Sequence, residues 1–409
     1  VTSRFRGGFQ LRIIALAIPA VLLWSDGHGR ATGAPSGVAD EAEALSKIRE
    51  LDLEEAKALV SRYNGKPLAL SGLTRLTPDV AKALATHNDA LSLNALPSLT
   101  ADEAKALASH AHDLVLHGVS RLDAAAAEAL SACNGTLSLE GLVGLESLPL
   151  AKKVASRTDA VQLNRIATVP RDIADALGNC RGPLDMEGLT ELGSPTLAKK
   201  LASKDGPLML VNLKKLTAEA AEGFQGTSCT IYLTGLTSLD AAVAASLGDR
   251  KGGVDLDGVL DIDTATAEAL AQSTGPLDLG GVKSLTADAA AALGKHRGAL
   301  CLGGLAQIDA AVARGLKPHK GHLQLSGLEE LTPAVAQELV GCGGVIYLDG
   351  VQALTDPVAF ILATHGGRGD TGFVMMPQAI RNLSSKADAA IRRNRLIHFG
   401  NLLVGPSTN

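Results

Sequence analysis

From residue 68 to residue 351 the aliphatic side chains return in one pattern, L-x-L-x-G-L. It starts at Leu68, Leu91, Leu114, Leu137, Val161, Leu184 and Leu208, then at Ile231, Val254, Leu277, Leu300, Leu323 and Ile346. Successive starts are 23 residues apart ten times and 24 apart twice, a regularity that marks a repeat architecture. Apolar residues at the first and third positions alternate with other residues at the second and fourth. This is the period-two signature of a short strand with one buried face. Gly holds the fifth position in ten of the thirteen rungs, where the chain must bend close to its neighbour.

Each bend is followed by a helix start. Thr77, Thr100, Asp123, Thr217, Asp240, Asp263, Thr286, Asp309, Thr332 and Thr355 stand where an N-cap belongs. The two 24-residue rungs carry one inserted residue, which moves the cap to Ser147 and Ser194. The helices are short and Ala-rich, and Gly two positions before the next strand (Gly135, Gly182, Gly206, Gly252, Gly275, Gly298, Gly321 and Gly344) is expected to end them in a left-handed conformation. A four-residue strand and a ten-residue helix bury too little surface alone, so the rungs must stack on one another as a solenoid.

These rungs resemble the leucine-rich repeat superfamily, closest to its cysteine-containing type, in which L-x-L-x-x-C-x-x-I-T-D introduces the helix. The resemblance covers 68–365 and implies an α/β curved solenoid of about 13 strand-helix repeats, with a parallel sheet on the concave face and helices outside. The ladder position that the family fills with Asn or Cys is aliphatic here, as at Leu73, Leu96, Val119, Leu142 and Ile166, and the rung is shorter. The backbone groups of the bend therefore need another partner.

The ends depart from the repeat. Arg4, Arg6 and Arg12 accompany a 14-residue apolar run at 11–24 and a small, polar tract follows, so 1–34 has the layout of a secretory signal and points to an exported protein, periplasmic, cell-envelope or secreted. An uncleaved anchor is the competing reading, although spanning a bilayer takes about 20 apolar residues; no second run is long enough to cross. Residues 35–67 read as a helical N-terminal cap. Residues 366–409 hold six Lys+Arg against two Asp and read as a basic C-terminal cap.

Composition narrows the function. The 38 Lys+Arg and 43 Asp+Glu of the 409-residue chain nearly balance, which argues against nucleic acid as a partner. Aromatic residues make up 2%, too few for sugar recognition by ring stacking. Cys133 and Cys180 stand two rungs apart, and Cys301 lies on a strand while Cys342 ends a helix, so the five cysteines read as buried free thiols or as a pairing that spacing does not reveal. Four residues before each strand stand His87, His110, Cys133, Arg157, Cys180, Lys204 and Arg250, then His296, His319, Cys342 and His365. Stacked equivalents form a line rather than a tetrahedral metal site, and the cations suit a helix C-terminus. Gly367, Gly369 and Gly372 spell a dinucleotide motif in the wrong helix-strand order, and Arg368-Gly369-Asp370 spells an adhesion tripeptide in a Gly-rich loop. Asp255, Asp257, Asp261 and Asp263 do not share one calcium loop. No nucleophile, metalloprotease, redox or phosphate-loop motif is present, so neither an enzyme nor a cofactor is expected.

One bias remains. The second and fourth strand positions, which face outward, hold Glu140, Asp185, Glu187, Asp255, Asp257, Asp278 and Asp349, with His117 and no Lys or Arg in any rung. Tyr232 and Tyr347 supply rings on the same face. The expectation is a noncatalytic binding scaffold whose acidic concave sheet takes a protein or peptide with a basic surface. The alternatives are a structural cell-envelope spacer and, further off, an enzyme with an unrecognised site.

Overall fold

In the computed structural model, residues 42–364, 374–377 and 383–399 are described. The signal-like segment, His365 and the Arg368-Gly369-Asp370 tripeptide lie outside them. The rungs form as their pattern dictates: a two-residue strand, a bend, then a helix of five to eight residues. Two units result, one through Met186 and one from Glu187, and the division falls inside the second 24-residue rung.

In the first unit, β1 (Leu68–Ala69), β2 (Leu91–Ser92), β3 (Leu114–Val115) and β4 (Leu137–Ser138) form one parallel sheet, and β5 (Val161–Gln162) pairs with β6 (Leu184–Asp185) in another. Equivalent positions pair in register, Leu68 with Leu91 and Leu91 with Leu114. The interruption between β4 and β5 coincides with the first 24-residue rung. Helix Leu53–Arg62 precedes β1, held by a full capping box between Asp52 and Glu55, in the stretch expected to cap the array.

The second unit contains an unbroken nine-stranded parallel sheet. Its strands are β8 (Leu208–Met209), β10 (Ile231–Tyr232), β11 (Val254–Asp255), β12 (Leu277–Asp278), β13 (Leu300–Cys301), β14 (Leu323–Gln324), β15 (Ile346–Tyr347), β16 (Val374–Met376) and β17 (Ile397–Phe399). A separate short pair, β7 (Glu191–Leu192) with β9 (Lys215–Leu216), lies where the chain runs from bend to helix. The last two strands extend the ladder past the thirteenth rung, into the segment read from sequence as a basic cap. Val374 pairs with Ile346 and, 23 residues on, with Ile397. The L-x-L signal is absent there, because Val374-Met375-Met376 and Ile397-His398-Phe399 fill the same slots with other side chains.

Within each unit the first, third and sixth rung positions make the core. Leu68, Leu70 and Leu73 in the first unit, and Leu256 and Val259 in the second, are fully buried. Each such aliphatic contributes about 1.5–3 kcal/mol on burial. The bend satisfies itself: the sixth-position amide donates to the third-position carbonyl, as from Leu73 to Leu70 (3.1 Å) and from Val259 to Leu256 (2.9 Å). This turn satisfies the bend without a side-chain ladder and explains why an aliphatic residue can stand at the sixth position.

The caps occur where expected, each accepting from the third helical amide, for example Asp309 Oδ1 from Val312 (2.8 Å) and Ser194 Oγ from Leu197 (3.0 Å). Thr355 sits at its cap position without that bond. The glycines before the strands require a correction. Of the eight, only Gly206 has positive φ (91°). The others are there for close approach: a Cβ on Gly135 would lie 1.7 Å from the His112 carbonyl oxygen, and one on Gly298 2.2 Å from that of Gly275. Glycine lets one turn rest directly on the next.

Candidate functional site

The nine residues selected from sequence divide between the units. Glu140 and Asp185 belong to the first; Glu187, Tyr232, Asp255, Asp257, Asp278, Tyr347 and Asp349 belong to the second. In the first unit, Glu140 follows β4 and its carboxylate lies 3.5 Å from His117 Nε2, which also meets Ser138 Oγ at 2.9 Å. Burial pulls the His117 imidazole below its ordinary range, against the pull of Glu140. Asp185 pairs in register with Gln162.

The second unit brings three acids together. Asp255 and Asp278 are register partners on β11 and β12, so their side chains project on the same side of the sheet about 4.8 Å apart. Asp257 lies two residues past Asp255. A Cβ built on Gly280 would lie 2.5 Å from Asp257 Oδ1 and 3.1 Å from Asp278 Oδ1, so both carboxylates lean over this glycine. Backbone amides aim two of the acids: Asp255 Oδ1 accepts from Asp257 N (3.0 Å), and Asp278 Oδ1 from Gly280 N (2.9 Å). Asp278 also accepts from the Cys301 thiol.

The electrostatics follow from crowding on a half-buried surface. Partial burial, then the carboxylates of Asp278 and Asp257, push Asp255 up to about 6. Burial also raises Asp278, with Asp257 adding to the effect, although hydrogen bonds from Cys301 and Gly280 oppose it. Burial and the Asp278 carboxylate push the Cys301 thiol far up, so it serves as a donor and not as a nucleophile. Gly280 and Gly303, at the fourth position of two consecutive rungs, leave a side-chain-free floor beside the acids.

Tyr232 joins this cluster, paired in register with Asp255. Tyr347 and Asp349 do not, since β13 and β14 stand between them and β12. Tyr347 stacks on His322 with 6.1 Å between centroids, and Ser326 Oγ lies 3.4 Å from Asp349 Oδ2. Glu187 is exposed, and its carbonyl accepts from Asn212 Nδ2 (3.0 Å).

Sequence reasoning did not foresee a polar cleft of about 470 Å³ in the first unit, lined by Asp113, His112, Thr136, Lys153, Arg157 and Asp159 among others. It opens where the ladder between β4 and β5 is interrupted. The Arg157 guanidinium occupies that interruption, donating to the carbonyls of Leu137 (3.0 Å) and Ala160 (3.3 Å) while paired with Asp159. The inserted residue was the available signal. At the equivalent place in the second unit, buried Arg250 donates to the carbonyls of Phe224 (2.7 Å) and Cys229 (2.6 Å) and to the Thr227 hydroxyl. The cations at this rung position thus satisfy specific carbonyls in addition to complementing a helix end.

All five cysteines are free thiols. Among the described residues, no group of three or more His, Cys, Asp or Glu side chains is arranged to hold a metal ion, and no helix is long and apolar enough to cross a membrane.

No family model matches the chain, and no curated protein matches it. Among solved structures it is similar to an internalin from Listeria monocytogenes, at 15% identity over 89% of this chain and 95% of that one, with a TM-score of 0.34. It is also similar to a leucine-rich-repeat protein of Leptospira interrogans, at 15% identity over 87% and 88%, with a TM-score of 0.32. The strand-bend-helix rung seen in both units is the α/β repeat that the leucine-rich-repeat resemblance implies.

Proposed function

We propose that the chain is a noncatalytic, exported binding scaffold, and that the outward face of the second unit's sheet takes a protein or peptide of basic character. Asp255, Asp257 and Asp278 form the centre of that surface, with Tyr232 beside them. The observation that carries this reading is the crowding of three carboxylates on a face whose outward strand positions hold no Lys or Arg, where burial first and the neighbouring carboxylates second raise Asp255 to about 6. A docked ammonium or guanidinium relieves that repulsion and gains charge-assisted hydrogen bonds. Gly303, one rung on, gives a long cationic side chain room beside the acids, and Tyr232 offers it a ring face. The N-terminal segment 1–34 serves export on this reading.

The test is binding of a synthetic ten-residue Lys/Arg-rich peptide at low and high salt, to the unmodified chain and to Asp255→Asn/Asp257→Asn/Asp278→Asn. Binding that weakens with salt and drops in the triple variant supports the proposal. Equal, salt-independent binding by both proteins refutes it.

A further inference from the structure

Four histidines are buried at one place in the rung, the turn between helix and strand: His87 and His110 in the first unit, His296 and His319 in the second. In the second unit the two rings are 1% exposed and lie almost parallel, with 6° between their planes and 6.2 Å between centroids. Their ring-plane lone pairs therefore do not converge on a point between them. Neither nitrogen of His296 has a hydrogen-bond partner, although backbone carbonyls of Ala271, Gly275 and Ala299 face the ring. His319 has one contact, Nε2 at 3.3 Å from the His322 carbonyl oxygen, and its Nδ1 has none.

The surroundings do not welcome a charge. One rung before the stack is buried Ser273, its hydroxyl donating to Leu270; one rung after is buried Cys342, its thiol donating to Leu316. His322 follows on the next turn, and exposed Lys295, Arg297, Lys317 and Lys320 flank the two histidines. Among the described residues no carboxylate acts on either ring. Arg250, at the same rung position, is tolerated as a buried cation because its longer arm reaches three acceptors. Neither imidazole matches that: His296 makes no hydrogen bond and His319 makes one.

We propose that the His296–His319 stack is an acid-sensitive latch: uncharged, it fills two consecutive helix-to-strand turns of the second unit, and protonation forces those turns open. The inference does not depend on the binding role of the acidic face. Burial holds both imidazoles below their ordinary range, with His319 adding to the effect on His296 and His322 to that on His319. The unfolded chain therefore takes up protons first. The stability of these turns is full above about pH 6.5 and is lost as pH falls toward the depressed folded values. A first imidazolium finds only backbone carbonyls around it and no carboxylate, and a second would form about 6 Å from it. At His87 in the first unit the effect is weaker, because its Nε2 meets the Lys66 carbonyl oxygen at 2.9 Å and Asp89 attracts its proton.

The experiment reads the labelling rate of the Cys342 thiol by a dipyridyl disulfide between pH 7.5 and 5.0, resolved by peptide mass spectrometry against Cys180 of the first unit. The expected result is about a tenfold acceleration at Cys342 relative to Cys180. The acceleration should vanish in His296→Ser/His319→Ser, which adopts the residue that Ser273 already provides at this position. Should that variant fail to fold, deuterium exchange at the imidazole C2 of the unmodified chain reports the same groups: both rings should titrate below the ordinary histidine range. No acid step at Cys342, a step that survives in the folded double variant, or ordinary titration of both rings overturns the proposal.

Discussion

The two units are built from the same rung, yet their outward strand positions differ. On β1 to β4 these positions hold Ala, Ser, Asn, Val, His and one Glu, and the ladder breaks where one residue is inserted and Arg157 enters. On β10 to β15 the ladder is unbroken, and the same positions gather Asp255, Asp257 and Asp278, the last two over Gly280. The buried columns are nearly interchangeable, so stability and register come from the first, third and sixth positions in both. The second and fourth positions are free to vary, and they make one face polar and the other acidic. Scaffold and site are therefore separable.

That separation is most sharply tested in the core. Leu256→Asp in the second unit and Leu116→Asp in the first each put a charge in a fully buried column and should cost more than about 4 kcal/mol. Circular dichroism with hydrogen exchange should show the loss concentrated in the unit carrying the change. Next come the arginines that close the turns. Arg250→Ala strands the carbonyls of Phe224 and Cys229 and should cost about 2–3 kcal/mol, against about 1–2 for Arg157→Ala, as read by denaturant melts. Asp309→Ala removes a working cap and should cost about 1 kcal/mol, while Thr355→Ala, whose hydroxyl makes no cap bond, should cost little.

The smallest effect belongs to the face. Asp255 has a folded value of about 6, above that of an unfolded aspartate near 3.9, so ionising it costs stability as pH rises through 6. Asp255→Asn should therefore stabilise the second unit at pH 7.5 and lose that advantage below about pH 4. The gain should stay under about 1 kcal/mol because the group is only half buried and solvent screens it. A variant less stable than the parent at pH 7.5 would show that this carboxylate is structural and the two roles are not separable.

Much of this was legible in the sequence because a repeat states the same physics many times. The strand starts, the caps from Thr77 to Thr332, and the shift of cap to Ser147 and Ser194 follow from pattern and capping chemistry alone. What was not legible depended on distances between rungs. Gly135 and its equivalents other than Gly206 are needed for close approach and not for a left-handed turn, which only stacked coordinates reveal. β16 and β17 were read as part of a cap because Val374 follows Ile346 by 28 residues instead of 23 and neither strand continues into the L-x-L-x-G-L pattern. The seven outward acids could be named from register, but their division between two units and the meeting of only Asp257 and Asp278 over Gly280 could not.

Zero-length carbodiimide cross-linking of a bound Lys-rich peptide, with the linked carboxylates mapped by mass spectrometry, tests the central claim most directly. Cross-links concentrated on Asp255, Asp257 and Asp278 are the predicted result. Cross-links spread over helix-side acids such as Glu128, Glu268 and Glu338, with those three aspartates unmodified, would contradict it.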